Sequence, residues 1–246
     1  MTYPCTIAVD THTHTILSGH AWSTLEENAA AAKKAGLYGF AVTDHAPATP
    51  GGLHPIAIPG LQMMPKEFNG VRIFSGLEAN IMDIDGSLDA ENRYLHPLDN
   101  VVASLHSLCF KGSYEENTAA YLAAIKNPYI DIIGHLHQAD VLCDMKQVVH
   151  EASCYGKVIE LNASYLHPSR VKSLPLIKEI IGICLDEPVR ITVSSDAHFS
   201  ASVGQCQEML KLLYEAGFPA ERIINLVPES YESWLSDRRN EKAQLQ

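Results

Sequence analysis

Short apolar and β-branched runs recur along this chain, and most are followed by a polar loop and then by a helical pattern. The runs that we interpret as strands are Thr6–Asp10, Tyr38–Thr43, Val71–Glu78, Asn100–Leu105, Asp131–Gly134, Lys157–Asn162 and Val189–Ser194. Runs without polar alternation are typical of parallel strands buried on both faces. Their alternation with helices predicts seven βα units, in an open doubly wound sheet or a closed barrel.

Helix signals lie between these runs. Ser23-Thr24-Leu25-Glu26 resembles a capping box, and the Ala-rich helix after it should stop at Gly36, where a left-handed C-cap favours glycine. The other predicted helices are Tyr114–Lys126, Asp144–Tyr155, Arg170–Ile181 and Ser202–Ala216. The stretch 46–65 holds five Pro and three Gly, which predicts an extended loop over one end of a barrel.

Length and residue content are those of one globular domain. A single α/β barrel routinely runs to about 250 residues, so we expect one domain over residues 1–246. The six cysteines are scattered without a C-x-x-C pair, and the first residues, MTYPCTIAVD, contain no basic segment and no long apolar run. These features predict a cytoplasmic protein with reduced thiols and no membrane span.

The acidic charge of the chain disfavours nucleic acid as a binding partner. The formal net charge is −11, and Lys and Arg together number only 18. Phosphate-backbone binding relies on a basic stripe, so we do not expect a nucleic-acid partner. Two or three bound divalent cations would still concentrate positive charge in one pocket, and a small anionic substrate could then bind there.

Nearly every predicted strand ends in a residue type that binds metal ions. In chain order these residues are Asp10, His12, His14, Asp44, His45, Glu78, His106, His135, His137, Asp196 and His198. In a parallel barrel the carboxyl ends of all strands face one rim, so residues distant in sequence converge on one pocket. An open sheet would spread them along an edge. The pattern therefore favours a barrel with a metal site at its rim.

The spacing of these residues supports shared ligation. Side chains at i and i+2 of an extended segment point to the same side, so His12 and His14 can reach one metal, and Asp196 with His198 repeats this geometry. Imidazole and carboxylate ligands suit Zn²⁺, Mn²⁺ or Fe²⁺ better than Mg²⁺ or Ca²⁺. One strand-end histidine is more often structural than a ligand, but the coincidence of so many predicts a metal site. We interpret the histidines in loops or helices as structural: His54, His96, His150 and His167.

Taken together, these motifs resemble a known family. They are VDTHTHT, Gly19-His20-Ala21 with Ser23-Thr24, FAVTDHAP, GLEANI, ASLH, IIGH, IELNAS and SSDAH, and they cover essentially the whole chain. They are similar to those of the PHP (polymerase and histidinol phosphatase) superfamily, and within it to the stand-alone bacterial phosphatases of the YcdX type. The resemblance implies a distorted seven-stranded (β/α)7 barrel with a trinuclear metal cluster at the carboxy-terminal rim of its strands. It also implies a homo-oligomer, in the form of a homotrimer.

The resemblance further implies a ligand set for three divalent ions, Zn²⁺ or alternatively Mn²⁺ or Fe²⁺. The first metal would be bound by His12, His14, Glu78 and Asp196, the second by Glu78, His106 and His135, and the third by His20, His45 and His198. Glu78, Asp196 and His198 would be the catalytic residues. His20 follows the first strand in a loop, and the resemblance alone assigns it. His135-Leu136-His137 and His106-Ser107 replace the His-Pro and His-Glu of other members, which would alter substrate selection at the rim; His137 is left open between a ligand and a supporting residue.

This ligand set predicts hydrolysis of small phosphate monoesters. A metal-bound hydroxide would attack in line, because a metal lowers the pKa of bound water to about 7, while the ions also neutralise the phosphoryl oxygens. An amidohydrolase is the main alternative, but such enzymes often use a modified Lys as the metal bridge, and no Lys ends a predicted strand here. A PHP-type nuclease and a non-catalytic metal-binding module also remain open.

Arg170 and Ser169 are the predicted substrate-binding residues. They follow Asn162 at the end of the sixth predicted strand, in a loop on the same rim as the ligands. The planar guanidinium of Arg170 matches phosphate oxygens, and Ser169 with the amino terminus of the next helix would add donors for an anion. We therefore expect Arg170 to bind the phosphate of the substrate.

Overall fold

The computed structural model describes residues 4–245, and its centre is a nearly closed barrel. The strands are β1 (Val9–Thr13), β2 (Gly39–Val42), β3 (Glu67–Phe68), β4 (Val71–Asn80), β5 (Asn100–Ser104), β6 (Ile132–Ile133), β7 (Val158–Asn162) and β8 (Arg190–Ser194). Seven of them are parallel in the order β1-β2-β4-β5-β6-β7-β8, and the short β3 pairs antiparallel with β4. The predicted seven-stranded α/β barrel is confirmed. Residues 1–3 and 246 of the predicted domain lie outside the described residues.

Helices surround the barrel. They are α1 (Leu25–Lys34), α2 (Asn92–Leu95), α3 (Tyr114–Ile125), α4 (Met145–Cys154), α5 (Leu174–Asp186), α6 (Gln207–Glu215) and α7 (Pro228–Ala243). Among the residues described, no helix combines the length and the hydropathy needed to cross a membrane.

Helix α1 begins one residue later than the predicted capping box indicates. The side chain of Thr24 accepts a hydrogen bond from the Glu27 amide (3.3 Å), and Glu27 accepts one from the Thr24 amide (2.7 Å). The box is therefore Thr24 to Glu27, not Ser23 to Glu26. Ser23 instead accepts a hydrogen bond from the Ser200 amide (2.8 Å), which joins the loop after β1 to the loop after β8.

Two further helices start later than predicted, and each delay has a local cause. Helix α5 begins at Leu174, not at Arg170, because Pro175 fits only in the first turn of a helix. Residues Pro168–Ser173 form a 3₁₀ segment instead. Helix α6 begins at Gln207, because Gly204 adopts a left-handed conformation (φ 76°) that ends the preceding turn. The predicted 46–65 loop also contains a 3₁₀ segment, Pro55–Met63.

Side chains of the strands alternate between two apolar layers. Val102, Ile132 and Val158 point into the barrel, whereas the next residue on each strand packs against the outer helices. The inner layer ends at Tyr231 and Trp234 of α7, a helix that the sequence pattern did not predict. Helix α7 thus closes the amino-terminal end of the barrel and leaves the carboxy-terminal end open.

The amino-terminal end also contains a buried network of charges. Asp131, at the start of β6, accepts hydrogen bonds from Arg238 Nε (2.9 Å) and Lys242 Nζ (2.7 Å), both on α7. Lys157 Nζ donates to the carbonyls of Asn127 (2.8 Å) and Ile130 (2.7 Å). Burial, together with the charge of Arg238, lowers the pKa of Lys157 to about 7. Every charged group of this network therefore has a partner.

The seam between β1 and β8 is closed by a few specific contacts. The hydroxyl groups of Thr11 and Thr192 are 2.8 Å apart, and the amide nitrogen of the Asn225 side chain donates to the carbonyls of Val9 (2.7 Å) and Val193 (2.6 Å). The Asn225 side-chain oxygen accepts from the Val193 amide (3.1 Å). Asn225 thereby supplies the hydrogen bonds that a neighbouring strand would supply elsewhere in the sheet.

Candidate metal centre

The carboxyl ends of the strands bring all nine predicted ligands into one connected cluster. Glu78, at the centre, has five imidazoles around its carboxylate, of which that of His14 is the most distant, at 3.7 Å. Its Oε2 lies 2.6 Å from His45 Nδ1 and 3.4 Å from His12 Nε2. Its Oε1 lies 3.0 Å from His135 Nε2 and 3.3 Å from His106 Nε2. One carboxylate is therefore shared by residues from four other segments of the chain.

Asp196 is the second centre of the cluster. Its Oδ1 lies 3.0 Å from His14 Nε2 and 3.5 Å from His198 Nδ1. The imidazole of His20 completes the outer side, with its ring centre 4.6 Å from that of His198 and 5.0 Å from that of His45. The loop residue that only the family resemblance indicated is thus adjacent to the strand-end histidines.

Three groups within the cluster have the spacing that a metal ion requires. They are His12 with His14 and Asp196, His45 with Glu78 and His106, and His14 with His45 and His198. The candidate ligand atoms of each group lie within 4.8 Å of one another. The first group lies inside the ligand set that the resemblance implies for the first metal. The other two link His45 to Glu78 and to His14, so His45 lies between the predicted sites.

Buried atoms without hydrogen-bond partners indicate that the cluster fits a metal. Among the residues described, these include Nε2 of His12, His14 and His198. Oε2 of Glu78 and Nδ1 of His45 also have none, although the two atoms are close. An unpartnered buried polar atom costs about 1–3 kcal/mol, so five in one place are expected only where a ligand completes them. Imidazole nitrogens with carboxylate oxygens are the donor set of Zn²⁺ and similar ions.

A second set of residues orients the histidines. Glu160 accepts from His12 Nδ1 (2.6 Å), Asn80 Oδ1 accepts from His106 Nδ1 (2.7 Å), and Ser18 Oγ lies 2.9 Å from His14 Nδ1. Such contacts select the tautomer that directs the other ring nitrogen toward a metal. Sequence reasoning did not identify these residues. Glu160 had a usable signal, a carboxylate in the middle of the apolar run of β7.

Asp10, the second residue of β1, and Asp44, which follows β2, lie outside the three groups. Asp44 accepts from the Thr15 amide (2.7 Å) and from Ser18 Oγ (2.5 Å). Asp10 accepts from the amides of Ser195 (3.0 Å) and Gly204 (2.8 Å). Both carboxylates hold loop backbone in place, so they belong to the scaffold of the site.

The protonation states of the cluster suit metal binding. Burial by itself raises the pKa of Glu78, but His45, His106 and His12 lower it well below its usual range. Burial and the neighbouring His45 lower the pKa of His14 well below its usual value. Burial opposes protonation of His12, yet Glu160 and Glu78 raise its pKa well above the usual value. The carboxylates and His14 are therefore ready to bind a cation, whereas His12 would release a proton on binding one.

Backbone strain coincides with two candidate ligands. His135 (φ 22°) and Asp196 (φ 51°) lie just after β6 and β8 with positive φ, which is uncommon for residues other than glycine and often marks a functional site. Gly134 is required before His135, because a Cβ there would lie 2.1 Å from Ser104 Oγ. That hydroxyl donates to Glu78 (2.8 Å). The backbone of this loop is thus shaped around the central carboxylate.

A cavity of about 530 Å³ opens beside Asp196 and His198. Arg170 lines it, with its guanidinium 4.3 Å above the ring of Tyr165 and NH1 donating to Ser164 Oγ (2.8 Å). Ser169 also lines the cavity, and its hydroxyl is 2.8 Å from His167 Nδ1. The expected helix terminus at Arg170 is wrong, because α5 starts at Leu174.

His137 lies behind the cluster, outside the three groups. It is fully buried, and its Nε2 is 3.3 Å from the carbonyl of Asn162. Burial lowers its pKa to about 4, so the ring is neutral near pH 7. Its ring packs edge-on against Tyr165, with 5.2 Å between the ring centres. These contacts favour a supporting position beneath Tyr165, which in turn carries Arg170.

The sequence and the fold match known proteins over most of the chain. The chain is 43% identical over 235 residues to a probable phosphatase of Caldanaerobacter subterraneus subsp. tengcongensis, covering 95% of this chain and 92% of the relative. It is 42% identical to a probable phosphatase of Thermoanaerobacter sp., covering 95% and 96% of the two chains. A histidinol phosphate phosphatase of Lactococcus lactis, solved with zinc, L-histidinol and phosphate, shares the fold, with a TM-score of 0.59 at 16% identity, over 86% of this chain and 94% of that one. The family model that describes the PHP domain matches residues 10–171. This chain therefore belongs to the PHP domain family.

Proposed function

We propose that this chain is a metal-dependent phosphatase that hydrolyses small phosphate monoesters. The observation that carries the proposal is the cluster of unpartnered ligand atoms beside a cavity that also contains the guanidinium of Arg170. Relatives that cover nearly the whole chain are named probable phosphatases. The structural neighbour from Lactococcus lactis was solved with zinc and phosphate. The chemistry of the site and the names of the relatives thus both support a phosphatase.

The residues that would hold the metal ions are those of the connected cluster. They are His12, His14, His20, His45, Glu78, His106, His135, Asp196 and His198. Divalent ions bound there, Zn²⁺ or alternatively Mn²⁺ or Fe²⁺ and three in number, would supply a nucleophile from water near neutral pH and would offset negative charge on the phosphoryl group. In this assignment Glu78 would be a ligand shared between ions, and Asp196 and His198 would be catalytic residues on the cavity side.

Arg170 would bind the phosphoryl oxygens of the substrate. Its side chain is held by stacking on Tyr165 and by the hydrogen bond to Ser164. Ser164 Oγ also lies 3.1 Å from Asp196 Oδ2 and 2.7 Å from Asn162 Oδ1, so its one hydrogen can be donated to either oxygen. The same hydroxyl therefore links the anion-binding side chain to a ligand carboxylate. Preorganisation of this kind reduces the entropy lost when a charged substrate binds.

The substrate class follows from the shape and composition of the site. A cavity of about 530 Å³ is in the range of small-molecule sites, roughly 300–1,000 Å³. None of the described strands contains a Lys that could serve as a metal bridge at the rim, which disfavours the amidohydrolase alternative. Among the cavity-lining residues, Arg170 is the only Lys or Arg, so the groove of positive charge that a nucleic acid requires is not found there.

Elemental analysis and a substrate panel test the proposal together. Protein purified without chelator should contain more than two equivalents of transition metal, and it should hydrolyse phosphorylated metabolites in preference to amides or lactones. Chelation should abolish both hydrolysis and inhibition by inorganic phosphate, and added Zn²⁺ or Mn²⁺ should restore both. One equivalent of metal or less would exclude the trinuclear assignment. Turnover of amides or lactones without turnover of any phosphate ester would favour the amidohydrolase alternative.

A further inference from the structure

Two exposed aromatic side chains line the same cavity as Arg170. The side chain of Trp22 is 78% exposed and that of Phe199 is 54% exposed. Aromatic residues gain more free energy on burial than most other residues, so large exposed rings inside a concave site indicate a surface that a ligand covers. Neither ring has a role in the candidate metal groups.

The backbone holds both rings in place. Trp22 N donates to the carbonyl of His198 (2.8 Å), immediately before Phe199. The amide of Ser200, immediately after Phe199, donates to Ser23 Oγ (2.8 Å), immediately after Trp22. Two hydrogen bonds therefore join the loops after β1 and β8 on both sides of the aromatic residues. The rings are presented by a cross-linked pair of loops, not by separate flexible segments.

The cavity consequently has two chemically different parts. The loop after β7 contributes polar groups, including Ser164, His167 and Arg170, whereas both aromatic rings come from the loops after β1 and β8, where Ser202 and Gln205 also line the cavity. A phosphate group needs only the polar part and the metal cluster. The aromatic part is suited to the organic half of the ester.

We propose that Trp22 and Phe199 form a stacking subsite that selects phosphate monoesters whose alcohol carries a flat aromatic or heteroaromatic ring. This inference rests on the proposed phosphatase function, because it assigns the phosphate to Arg170 and the metals. Trp22 and Phe199 are specificity-determining residues in this scheme. They bind the ring by offset stacking or edge-to-face contact and do not take part in bond breaking.

Binding of non-hydrolysable phosphonates tests the subsite independently of turnover. The metal-loaded protein is titrated by calorimetry with benzylphosphonate, with cyclohexylmethylphosphonate and with inorganic phosphate. The two phosphonates carry the same charge and a six-membered ring, but only the first ring is flat. The wild type should bind benzylphosphonate about threefold to tenfold more tightly, the range expected for an aromatic contact beyond its apolar area.

Variants of Trp22 and Phe199 test whether these two rings cause the preference for benzylphosphonate. Trp22→Ala and Phe199→Ala should each reduce the preference for benzylphosphonate, the double variant should abolish it, and Trp22→Phe should retain most of it. Affinity for inorganic phosphate and metal content should stay unchanged in all four. Leu108→Ala is the matched control, because Leu108 is 77% exposed and does not line the cavity.

Each outcome either supports or overturns the subsite. Equal wild-type affinity for the two phosphonates would overturn it, as would variants that weaken both phosphonates and inorganic phosphate equally. Steady-state kinetics with benzyl phosphate and cyclohexylmethyl phosphate then show whether the stacking subsite or the phosphatase function itself is wrong. Hydrolysis of both esters with equal kcat/KM would contradict the stacking subsite and leave the phosphatase function supported. If no phosphate ester is hydrolysed but benzylphosphonate still binds more tightly than cyclohexylmethylphosphonate, the phosphatase function is contradicted and the stacking subsite is not.

Discussion

Both ends of the barrel bury charged side chains, but only the amino-terminal end pairs them all. There Asp131 contacts Arg238 and Lys242, and Lys157 donates to two carbonyls. At the carboxy-terminal end, ligand atoms of Glu78 and several histidines have no hydrogen-bond partner among the described residues. A fully partnered buried network stabilises a packed end, whereas an incompletely partnered one leaves coordination for a ligand. The completeness of its hydrogen bonds thus distinguishes the structural network around Asp131 from the functional cluster around Glu78.

The largest expected effect comes from Glu78→Gln at the open end. The amide keeps the shape but removes the charge that His45, His12, His106 and His135 share. We expect kcat/KM for phosphate esters to fall by roughly a thousandfold, as when a central electrostatic group is removed from an active site, and metal content to fall with it.

Glu187→Gln provides the matched control for Glu78. Glu187 also contacts an imidazole, that of His150 at 3.1 Å, but far from the cluster on the surface of the barrel. This variant should keep normal activity and metal content. Near-normal turnover by Glu78→Gln would contradict its bridging role.

At the closed end, Asp131→Asn should destabilise the fold and leave the metal content of the folded protein unchanged. Loss of the Asp131 charge leaves Lys242 buried without a counter-charge and Arg238 with only the exposed Glu241, and breaking a buried ion pair in this way typically costs about 3–5 kcal/mol. Urea denaturation followed by circular dichroism measures the loss. Glu241→Gln is the control, since Glu241 is 61% exposed and its pairing with Arg238 should contribute little. If Asp131→Asn is as stable as the wild type, the ion pairs of Asp131 do not stabilise the fold.

Arg170→Ala should produce a smaller effect, confined to substrate binding. We expect kcat/KM for phosphate esters to fall by roughly tenfold to a few hundredfold, equivalent to about 1.5–3 kcal/mol for a charge-assisted contact. Metal content should not change. Arg93→Ala is the control, because Arg93 also stacks on a tyrosine, Tyr94 at 4.6 Å, but lies outside the cavity. Wild-type kinetics for Arg170→Ala would leave phosphate binding to the metals alone.

The smallest expected effect is a pH dependence from Lys157. Its pKa is about 7 in the folded protein, against 10.5 ordinarily, so the unfolded chain binds more protons between these values. This group therefore makes the folded state more stable as the pH rises from 7 toward 10.5, and it adds no pH dependence well below 7. The urea midpoint of the wild type should rise between pH 7 and pH 9 relative to that of Lys157→Met. Parallel shifts of the two midpoints would contradict the lowered pKa, and Lys33→Met, at an exposed position, serves as control.

The sequence predicted the barrel because its signals are local and periodic. Apolar runs predicted seven parallel strands, although β1 occupies Val9–Thr13 and not the predicted Thr6–Asp10. Ligand residue types near the strand ends predicted which rim would be polar. Helix starts were less predictable, since Pro175 and Gly204 shift α5 and α6 by several residues. Helix α7 was missed because the residues that dock it include Arg238 and Lys242, and buried cations break the usual apolar pattern.

The residue types that could bind metal were predictable from the sequence, but the residues that orient them were not. His12, His14 and Glu78 could be proposed from position on a strand, whereas His20 required the family resemblance. The contacts of Asn80, Ser18 and Glu160 depend on rotamers and on the approach of distant strands, which no spacing rule encodes. The predicted number of ions and the catalytic roles remain predictions that the metal analysis and the Glu78 variant address.

The Asn225 contact at the seam has a consequence for the order of events during synthesis. His12 and His14 leave the ribosome early, whereas Asp196, His198 and Asn225 emerge in the last quarter of the chain. The bonds of Asn225 to β1 and β8, together with the Thr11–Thr192 contact, join the first and last strands. The carboxylate of Asp196 is therefore translated 182 residues after His14, which belongs to the same group. That group is complete only once β8 lies beside β1, so binding of a metal ion there would be coupled to closure of the barrel.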